Sequence, residues 1–128
     1  LAAAVADYTP ADPQKNKIKR EANGDISLRL VRNPDIAATL GEHKGKKYLV
    51  GFALETDHEM ENALGKMERK NLDMIVLNSL RDPGAGMMTD TNKVTIFKRD
   101  GEALTYSLKN KKDVASDIVD AFASGIGR

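Results

Sequence analysis

Apolar runs that end at a polar residue recur along this chain and predict the buried strands of a sheet. The runs are Leu1–Ala6, which is closed by Asp7, and Asp73–Asn78; Lys47–Ala53 is a further predicted strand. Short runs of this kind are typical of strands that are covered on both faces. Ile26–Leu30 alternates apolar with polar residues instead, which predicts a half-exposed strand.

Helix signals alternate with these strands. Asn33–Asp35 (NPD) predicts a helix start, with the asparagine as N-cap and the proline at the first helical position. That helix is expected to end within Thr39–His43. Thr56 and Glu59 have the spacing of a capping box, and they predict a second helix that runs to about Lys70.

Turn residues mark two loops and one hairpin. Tyr8–Asn16 and Ser79–Thr91 contain prolines or glycines and are expected to be loops. Lys93–Lys98 and Ala103–Ser107 alternate in polarity around Asp100-Gly101, which predicts a β-hairpin.

A last helix is predicted from Asn110, its N-cap, to about Ala123, and Gly125 is expected to end it. Its apolar residues share one face; they are Val114, Ile118, Val119 and Phe122. The order of elements predicts an α/β fold: a Rossmann-like, mainly parallel sheet flanked by helices, with a C-terminal antiparallel hairpin.

Composition narrows the class of protein. The chain has 128 residues, 41% hydrophobic and 30% charged, which fits one globular domain. Twenty basic and nineteen acidic residues give a net charge of +1, so charge offers no argument for nucleic acid. With no cysteine, the chain has no disulfide, thiolate metal ligand or cysteine nucleophile, and it fits a reducing cytoplasm. No apolar run reaches the roughly 18 residues of a membrane span.

Polar residues at the predicted strand ends are the first candidates for chemistry. Ligands of open α/β sheets bind beyond the carboxyl ends of the strands, where Asp7, Glu55-Thr56 and Asn78 are expected. The helix start at Asn33–Ile36 offers free backbone amides to a phosphate. Each feature also has a plainer interpretation, because such residues often only cap helices or close turns.

Lysines add positive charge to this picture. Lys15, Lys17, Lys19 and Arg20 form a basic run, and Lys66 and Lys70 are spaced i,i+4 on one predicted helix. Together with the strand ends they suit an anionic ligand such as a nucleoside triphosphate. Solvated surface lysines are the alternative interpretation. The chain has no P-loop.

Six motifs in one order over nearly the whole chain carry a resemblance. They are Ala3–Tyr8 (AAVADY), Lys17–Arg20 (KIKR), Asn33–Ile36 (NPDI), Gly51–Thr56 (GFALET) with Lys66, Lys70–Asp73 (KNLD), and the loop residues Gly86, Asp90 and Asn92. The series resembles the carboxyl-terminal part of phosphopantothenoylcysteine synthetase, the phosphopantothenate–cysteine ligase of coenzyme A biosynthesis. In many bacteria that enzyme is fused behind a flavin-dependent decarboxylase.

The resemblance implies a ligase that uses CTP with a divalent cation, normally Mg²⁺. The carboxylate of 4'-phosphopantothenate attacks the α-phosphate, which gives an acyl-cytidylate and pyrophosphate. The amine of cysteine then displaces CMP. Eukaryotic relatives use ATP, and CTP is preferred here because the motifs look bacterial.

The resemblance also implies site residues. Lys17 matches the lysine needed for the first step, on a flap that closes over the site; Lys19 is the competing candidate. The implied nucleotide-binding residues are Leu1, Ala2 and Ala3 at the base, Asp7 at the ribose, Pro34, Asp35, Ile36 and Ala37 at the triphosphate, Phe52 against the base, and Lys66 and Lys70. Asp35 is also the candidate metal ligand.

The resemblance implies partners beyond residues 1–128, which match the C-terminal, nucleotide-binding portion of the ligase domain. The family's amino-terminal half lies outside these residues, so turnover by this portion alone is not expected. A homodimer in the cytoplasm is expected, and FMN only in a fused decarboxylase domain. The alternatives are a non-catalytic nucleotide-binding module and a structural fragment of a larger enzyme.

Overall fold

The computed structural model describes residues 5–19, 25–79, 81, 84–85 and 89–126. The chain divides into two compact units, Leu1–Ile36 and Ala37–Arg128. Most of the predicted first strand, Leu1–Ala6, lies outside the described residues. None of the described helices has the length and apolar character needed to cross a membrane.

The described residues form eight short strands and three helices. In chain order these are β1 Tyr8–Pro10, β2 Leu30–Arg32, α1 Ile36–Glu42, β3 Val50–Glu55, α2 Glu59–Arg69, β4 Met74–Ser79, β5 Thr91–Asn92, β6 Val94–Lys98, β7 Ala103–Thr105, β8 Lys109–Asn110 and α3 Lys111–Ile126.

The first unit contains an antiparallel ribbon of β1 and β2, in which Tyr8 lies opposite Arg32 and Pro10 opposite Leu30. The prediction of a loop over Tyr8–Asn16 is therefore wrong at its start, and the strand predicted at Ile26–Leu30 begins only at Leu30. Pairing between distant segments decided both outcomes, since proline is tolerated in a two-stranded ribbon although it cannot donate a backbone hydrogen bond.

The second unit is built on a four-stranded sheet with the order β3-β4-β6-β7. β3 and β4 are parallel, from Val50 opposite Met74 to Glu55 opposite Ser79. β4 with β6, and β6 with β7, are antiparallel. The predicted α/β fold and its C-terminal hairpin are confirmed, and the described sheet is mixed because the hairpin itself pairs with β4. β5 and β8 form a separate two-stranded antiparallel ribbon.

Two helices cover the two faces of this sheet. On the α2 face the buried residues are Ala53, Ala63, Leu72, Ile75, Leu77 and Phe97. On the α3 face they are Met74, Val76, Val94, Ile96, Val114 and Ala121. Side chains alternate between the faces along β4, so this one strand contributes to both cores.

Helix ends differ from the sequence predictions at the start of α2 and at the end of α3. The residue before α2 is His58, in a left-handed conformation (φ 45°) without a side-chain cap, so the capping box from Thr56 is wrong. The cap at Asn110 is confirmed, because its Oδ1 accepts the Asp113 amide at 2.9 Å. α3 continues past Gly125, and Val119, expected in the core, is 60% exposed.

The turn between α2 and β4 packs against α1 at Gly41, within the second unit. Gly41 of α1 lies against the Lys70 carbonyl, and the Asn71 side chain donates to the Gly41 carbonyl at 2.9 Å. Asn71 itself has a positive φ of 49°. Asp73 then accepts the Leu49 amide at 2.8 Å and the Lys44 ammonium at 2.6 Å. The motif Lys70–Asp73 therefore makes the contacts that hold this packing together.

We predict that Gly41→Ala lowers the free energy of unfolding by about 1–3 kcal/mol, because the new methyl group meets backbone that cannot move aside. Gly65→Ala is the matched control. Its Cβ would meet only the flexible end of Arg69, at 3.0 Å. It removes a helix-interior glycine and is expected to raise stability by about 0.5–1 kcal/mol. Urea denaturation of both variants measures the difference, and equal effects would contradict the packing described here.

Candidate functional site

Polar residues gather where β3 and β4 end. The parallel register places Glu55 opposite Ser79 and Leu54 opposite Asn78. Because side chains alternate, Glu55 and Ser79 face α2, whereas Asn78 and Leu54 face the other side of the sheet. The carboxyl ends of these strands, predicted as the ligand edge, therefore present two separate polar groups.

The group on the α2 face is centred on the carboxylate of Glu55. Lys66 Nζ donates to Glu55 Oε1 at 2.5 Å, and Asn62 Nδ2 donates to Glu55 Oε2 at 3.3 Å. The Glu55 side chain is 13% exposed and that of Lys66 is 36% exposed. The fold thus joins two candidates that the sequence analysis had named separately.

A second set of contacts on this face involves residues that the sequence analysis missed. Ser79 Oγ donates to Glu59 Oε1 at 2.7 Å and accepts the Arg81 amide at 3.1 Å. The Arg81 guanidinium in turn pairs with Asp57. No local sequence pattern predicts these contacts, because they connect the start of α2 with the end of β4 and the loop after it.

On the opposite face, Asn92 Nδ2 donates to Asn78 Oδ1 at 2.8 Å. Asn78 was a candidate as a strand end and Asn92 as a loop residue of the resemblance, so the structure brings these two together. Phe52 and Leu54 lie on this same face of β3 and are 65% and 43% exposed. Phe52 therefore offers an open aromatic surface. Gly86 lies outside the described residues.

The first unit joins the Asp7 and Asn33 motifs. The Asn33 amide donates to the Asp7 carbonyl at 2.9 Å, and Asn33 Nδ2 donates to the Ala6 carbonyl at 2.8 Å. Asn33 is therefore not the N-cap of α1, which begins at Ile36 directly after Asp35. The competing partner, Ala6, comes from a segment that local sequence cannot reveal.

Charge near this junction comes from the β1–β2 ribbon. A hydrogen bond with Tyr8 raises the pKa of the Arg32 guanidinium above its ordinary value, and the charge of Asp7 adds to the rise. Lys15, Lys17 and Lys19 are exposed and lie in the irregular segment after β1. Leu1, Ala2, Ala3 and Arg20 lie outside the described residues.

The two helix lysines have different surroundings. Lys66 lies in the last turn of α2 and reaches Glu55, whereas Lys70 follows the helix and its carbonyl lies against Gly41. Ile36 and Ala37 form the first residues of α1, and Pro34 and Asp35 precede it, exposed. Within the described part of the chain, no group of three histidine or acidic residues could hold a metal ion. Asp35 as a metal ligand stays a prediction.

A cavity of about 420 Å³ lies at the other end of β4; its lining residues are Tyr48, Asp73, Lys98, Arg99, Asp100 and Gly125. Its central charges are matched within the fold, since Lys98 Nζ donates to Glu102 at 2.7 Å and to Ser124 at 2.8 Å. Burial raises the pKa of the Tyr48 hydroxyl, and the charge of Asp73 adds to the rise. The polar groups of this cavity therefore serve the fold, and we do not assign a ligand to it.

Comparison with known proteins identifies the family. The DNA/pantothenate metabolism flavoprotein C-terminal domain matches residues 1–126. The chain belongs to this family. Its structure is similar to the crystal structure of the C-terminal domain of the coenzyme A biosynthesis bifunctional protein CoaBC, with a TM-score of 0.69 and 36% identity over 94% of this chain and 50% of that chain.

The curated relatives of this chain are longer proteins. CoaBC of Bacillus subtilis is 43% identical over 95% of this chain and 30% of its own length. A cysteine/cysteine sulfinic acid decarboxylase of an unknown prokaryotic organism is 53% identical over 93% of this chain and 33% of its own length. The chain thus spans about a third of the curated relatives that it matches.

We predict that Asn33→Ala loosens the junction between the Asp7 and Asn33 motifs. Losing one hydrogen bond to a carbonyl costs about 0.5–1.5 kcal/mol locally. The Asn33 amide, which donates to Asp7, is therefore expected to exchange with deuterium about threefold to tenfold faster. Asn16→Ala, at an exposed loop position, is the control. Unchanged exchange in Asn33→Ala would show that the side chain does not hold this junction.

Proposed function

We propose that this chain is the nucleotide-binding portion of a phosphopantothenate–cysteine ligase of coenzyme A biosynthesis. The observation that carries the proposal is family membership over residues 1–126, together with 36% identity to the CoaBC C-terminal domain structure. The substrates are CTP, 4'-phosphopantothenate and cysteine.

The chemistry makes positive charge the first requirement of such a site. A carboxylate must approach the α-phosphate of a polyanion, so like-charge repulsion is a large part of the barrier. Ammonium groups and backbone amides aimed at the phosphates lower that barrier, and holding both reactants in line lowers it further. Pyrophosphate leaves, and the cysteine amine then attacks the acyl-cytidylate and releases CMP.

We assign roles to residues of the first unit on this basis. Lys17 is the catalytic lysine of the first half-reaction; its exposed ammonium is available to a phosphate. Asp7 contacts the ribose. Pro34, Asp35 and Ile36 lie at the start of α1 and meet the triphosphate, and Leu1–Ala3 line the base by main chain.

Residues of the second unit complete the assignment. Lys66 and Lys70 contact the nucleotide phosphates. Ala37, in α1, contacts the triphosphate. Phe52, with its open aromatic surface, packs against the base. Mg²⁺ enters with CTP; such an ion is usually held by substrate phosphates plus one or two carboxylates, and Asp35 is the carboxylate that we assign to it.

We also propose two partners. One is the amino-terminal half of the ligase domain, and the other is a second copy of the chain in a homodimer. Light scattering coupled to size-exclusion chromatography tests the dimer. Any FMN belongs to a fused decarboxylase domain.

We predict that the chain binds CTP with magnesium saturably and binds ATP more weakly. Lys17→Gln is expected to weaken CTP binding about fivefold to tenfold, because one ammonium facing a phosphate is lost. Isothermal titration calorimetry measures all three affinities. Lys19→Gln tests the competing lysine, and Lys15→Gln is the matched control in the same exposed segment.

Two results would contradict this proposal in different ways. Binding of CTP without pyrophosphate release in the presence of 4'-phosphopantothenate, even after the upstream half of the domain is restored, would indicate a non-catalytic nucleotide-binding module. No binding of either nucleotide by the restored protein would indicate a structural portion of a larger enzyme, such as the decarboxylase named among its relatives.

A further inference from the structure

We propose that Glu55 is a positioning residue that holds the ammonium of Lys66 ready for the nucleotide phosphates. The inference rests on the proposed function, which gives Lys66 its phosphate contact, and it adds a residue to which that function assigned no role. Its basis is the arrangement of Glu55, Asn62 and Lys66 on the α2 face of the sheet.

The strand backbone fixes the position from which the Glu55 side chain projects. Glu55 is the last residue of β3 and lies opposite Ser79 in the parallel pair with β4. Ala53 lies two residues earlier on the same face of β3 and is only 2% exposed. The strand therefore has little freedom to shift. The carboxylate therefore projects from a fixed point at the carboxyl end of the sheet.

The two oxygens of that carboxylate have different partners. Oε1 accepts Lys66 Nζ at 2.5 Å, and Oε2 accepts Asn62 Nδ2 at 3.3 Å. Asn62 and Lys66 are i,i+4 on α2 and so share one face of the helix. Asn62 Nδ2 also donates to the Asp57 carbonyl at 2.8 Å, which ties the carboxylate to the loop before α2.

Exposure differs across the ion pair in the direction that positioning requires. The Glu55 side chain is 13% exposed and that of Lys66 is 36% exposed. The carboxylate is thus the enclosed anchor and the lysine is the group open to a ligand. An ammonium has three donors, and the bond to Glu55 uses one of them.

A held lysine binds an anion better than a free one. A lysine that is already fixed loses less side-chain freedom when a phosphate arrives, and this gain appears as affinity. The carboxylate also repels a phosphate, which works against binding. Asn62 moderates that repulsion by donating to the carboxylate, and the burial of Glu55 keeps it behind the ammonium.

The test is a double-mutant cycle in the full-length protein, with the dissociation constant of CTP and magnesium measured by calorimetry. Glu55→Ala is expected to weaken binding about tenfold, and Glu55→Gln, which keeps an acceptor, only about threefold. In a Lys66→Ala background neither substitution is expected to weaken binding further. If Glu55→Ala does not fold, the cycle with Glu55→Gln is the deciding measurement.

The pair Lys98–Glu102 supplies a matched control. It joins a lysine to a carboxylate at 2.7 Å, at the end of β6 and away from the α2 face. Glu102→Gln is expected to lower the melting temperature and to leave the CTP dissociation constant unchanged within about twofold. A similar loss of affinity in Glu102→Gln would show that general destabilisation, rather than positioning, is responsible.

A readout without nucleotide separates this inference from the proposed function. The ¹⁵N ammonium signal of Lys66 is expected in the wild-type spectrum and is expected to broaden in Glu55→Ala. Wild-type protein that shows the signal but binds no CTP would overturn the proposed function alone. CTP binding that tightens in Glu55→Ala, or weakens equally with and without Lys66, would overturn the positioning role.

Discussion

The parallel pairing of β3 with β4 is the constraint on which the second unit depends. β4 has a hydrogen-bonded neighbour on each side, β3 and β6. Its residues Met74, Ile75 and Val76 are at most 1% exposed, and they enter the cores on both faces. Burying each such side chain contributes about 1.5–3 kcal/mol. A shift of one residue in register would exchange the two faces, so the register is strongly determined.

This pairing separates two ends of the sheet with different characters. At the amino end of β4, Asp73 accepts from Lys44 and from the Leu49 amide, and the Arg99 Nε donates to the Leu72 carbonyl. These charges complete the fold. At the carboxyl end, Glu55 and Lys66 also pair, but the lysine stays partly open to solvent. The positioning role proposed for Glu55 depends on this difference in exposure.

Contacts also divide the residues of the six motifs into two kinds. Asn33, Asn71 and Asp73 donate to or accept from backbone of distant segments, so their place in the motifs has a structural reason. Lys17 and Phe52 are exposed instead. A motif match alone does not distinguish these kinds, because the tertiary contacts of a side chain cannot be read from its motif.

The sequence by itself determined the α/β class, the existence of α2, β4, the β6–β7 hairpin and α3, and the family. The elements follow from local periodicity and turn chemistry, because an apolar run such as that in β4 or an Asp-Gly turn carries its signal within a few residues. The family follows from the resemblance of the six motifs. The start of α3 at Asn110 was accurate, whereas the local signals at Thr56 and Gly125 misplaced the start of α2 and the end of α3. A bound was also wrong where a distant partner competed, as at Asn33, whose side chain donates to Ala6 rather than capping α1.

Only the tertiary structure decided which polar residues meet. Glu55 and Lys66 stand 11 residues apart, and Asn78 and Asn92 stand 14 apart, with no local spacing rule that joins them. The strand register and the placement of α2 bring each pair within hydrogen-bonding distance. Val119 fits the apolar face of α3 by spacing, yet it is exposed because the helix packs on the sheet through Val114, Ile118, Ala121 and Phe122 instead.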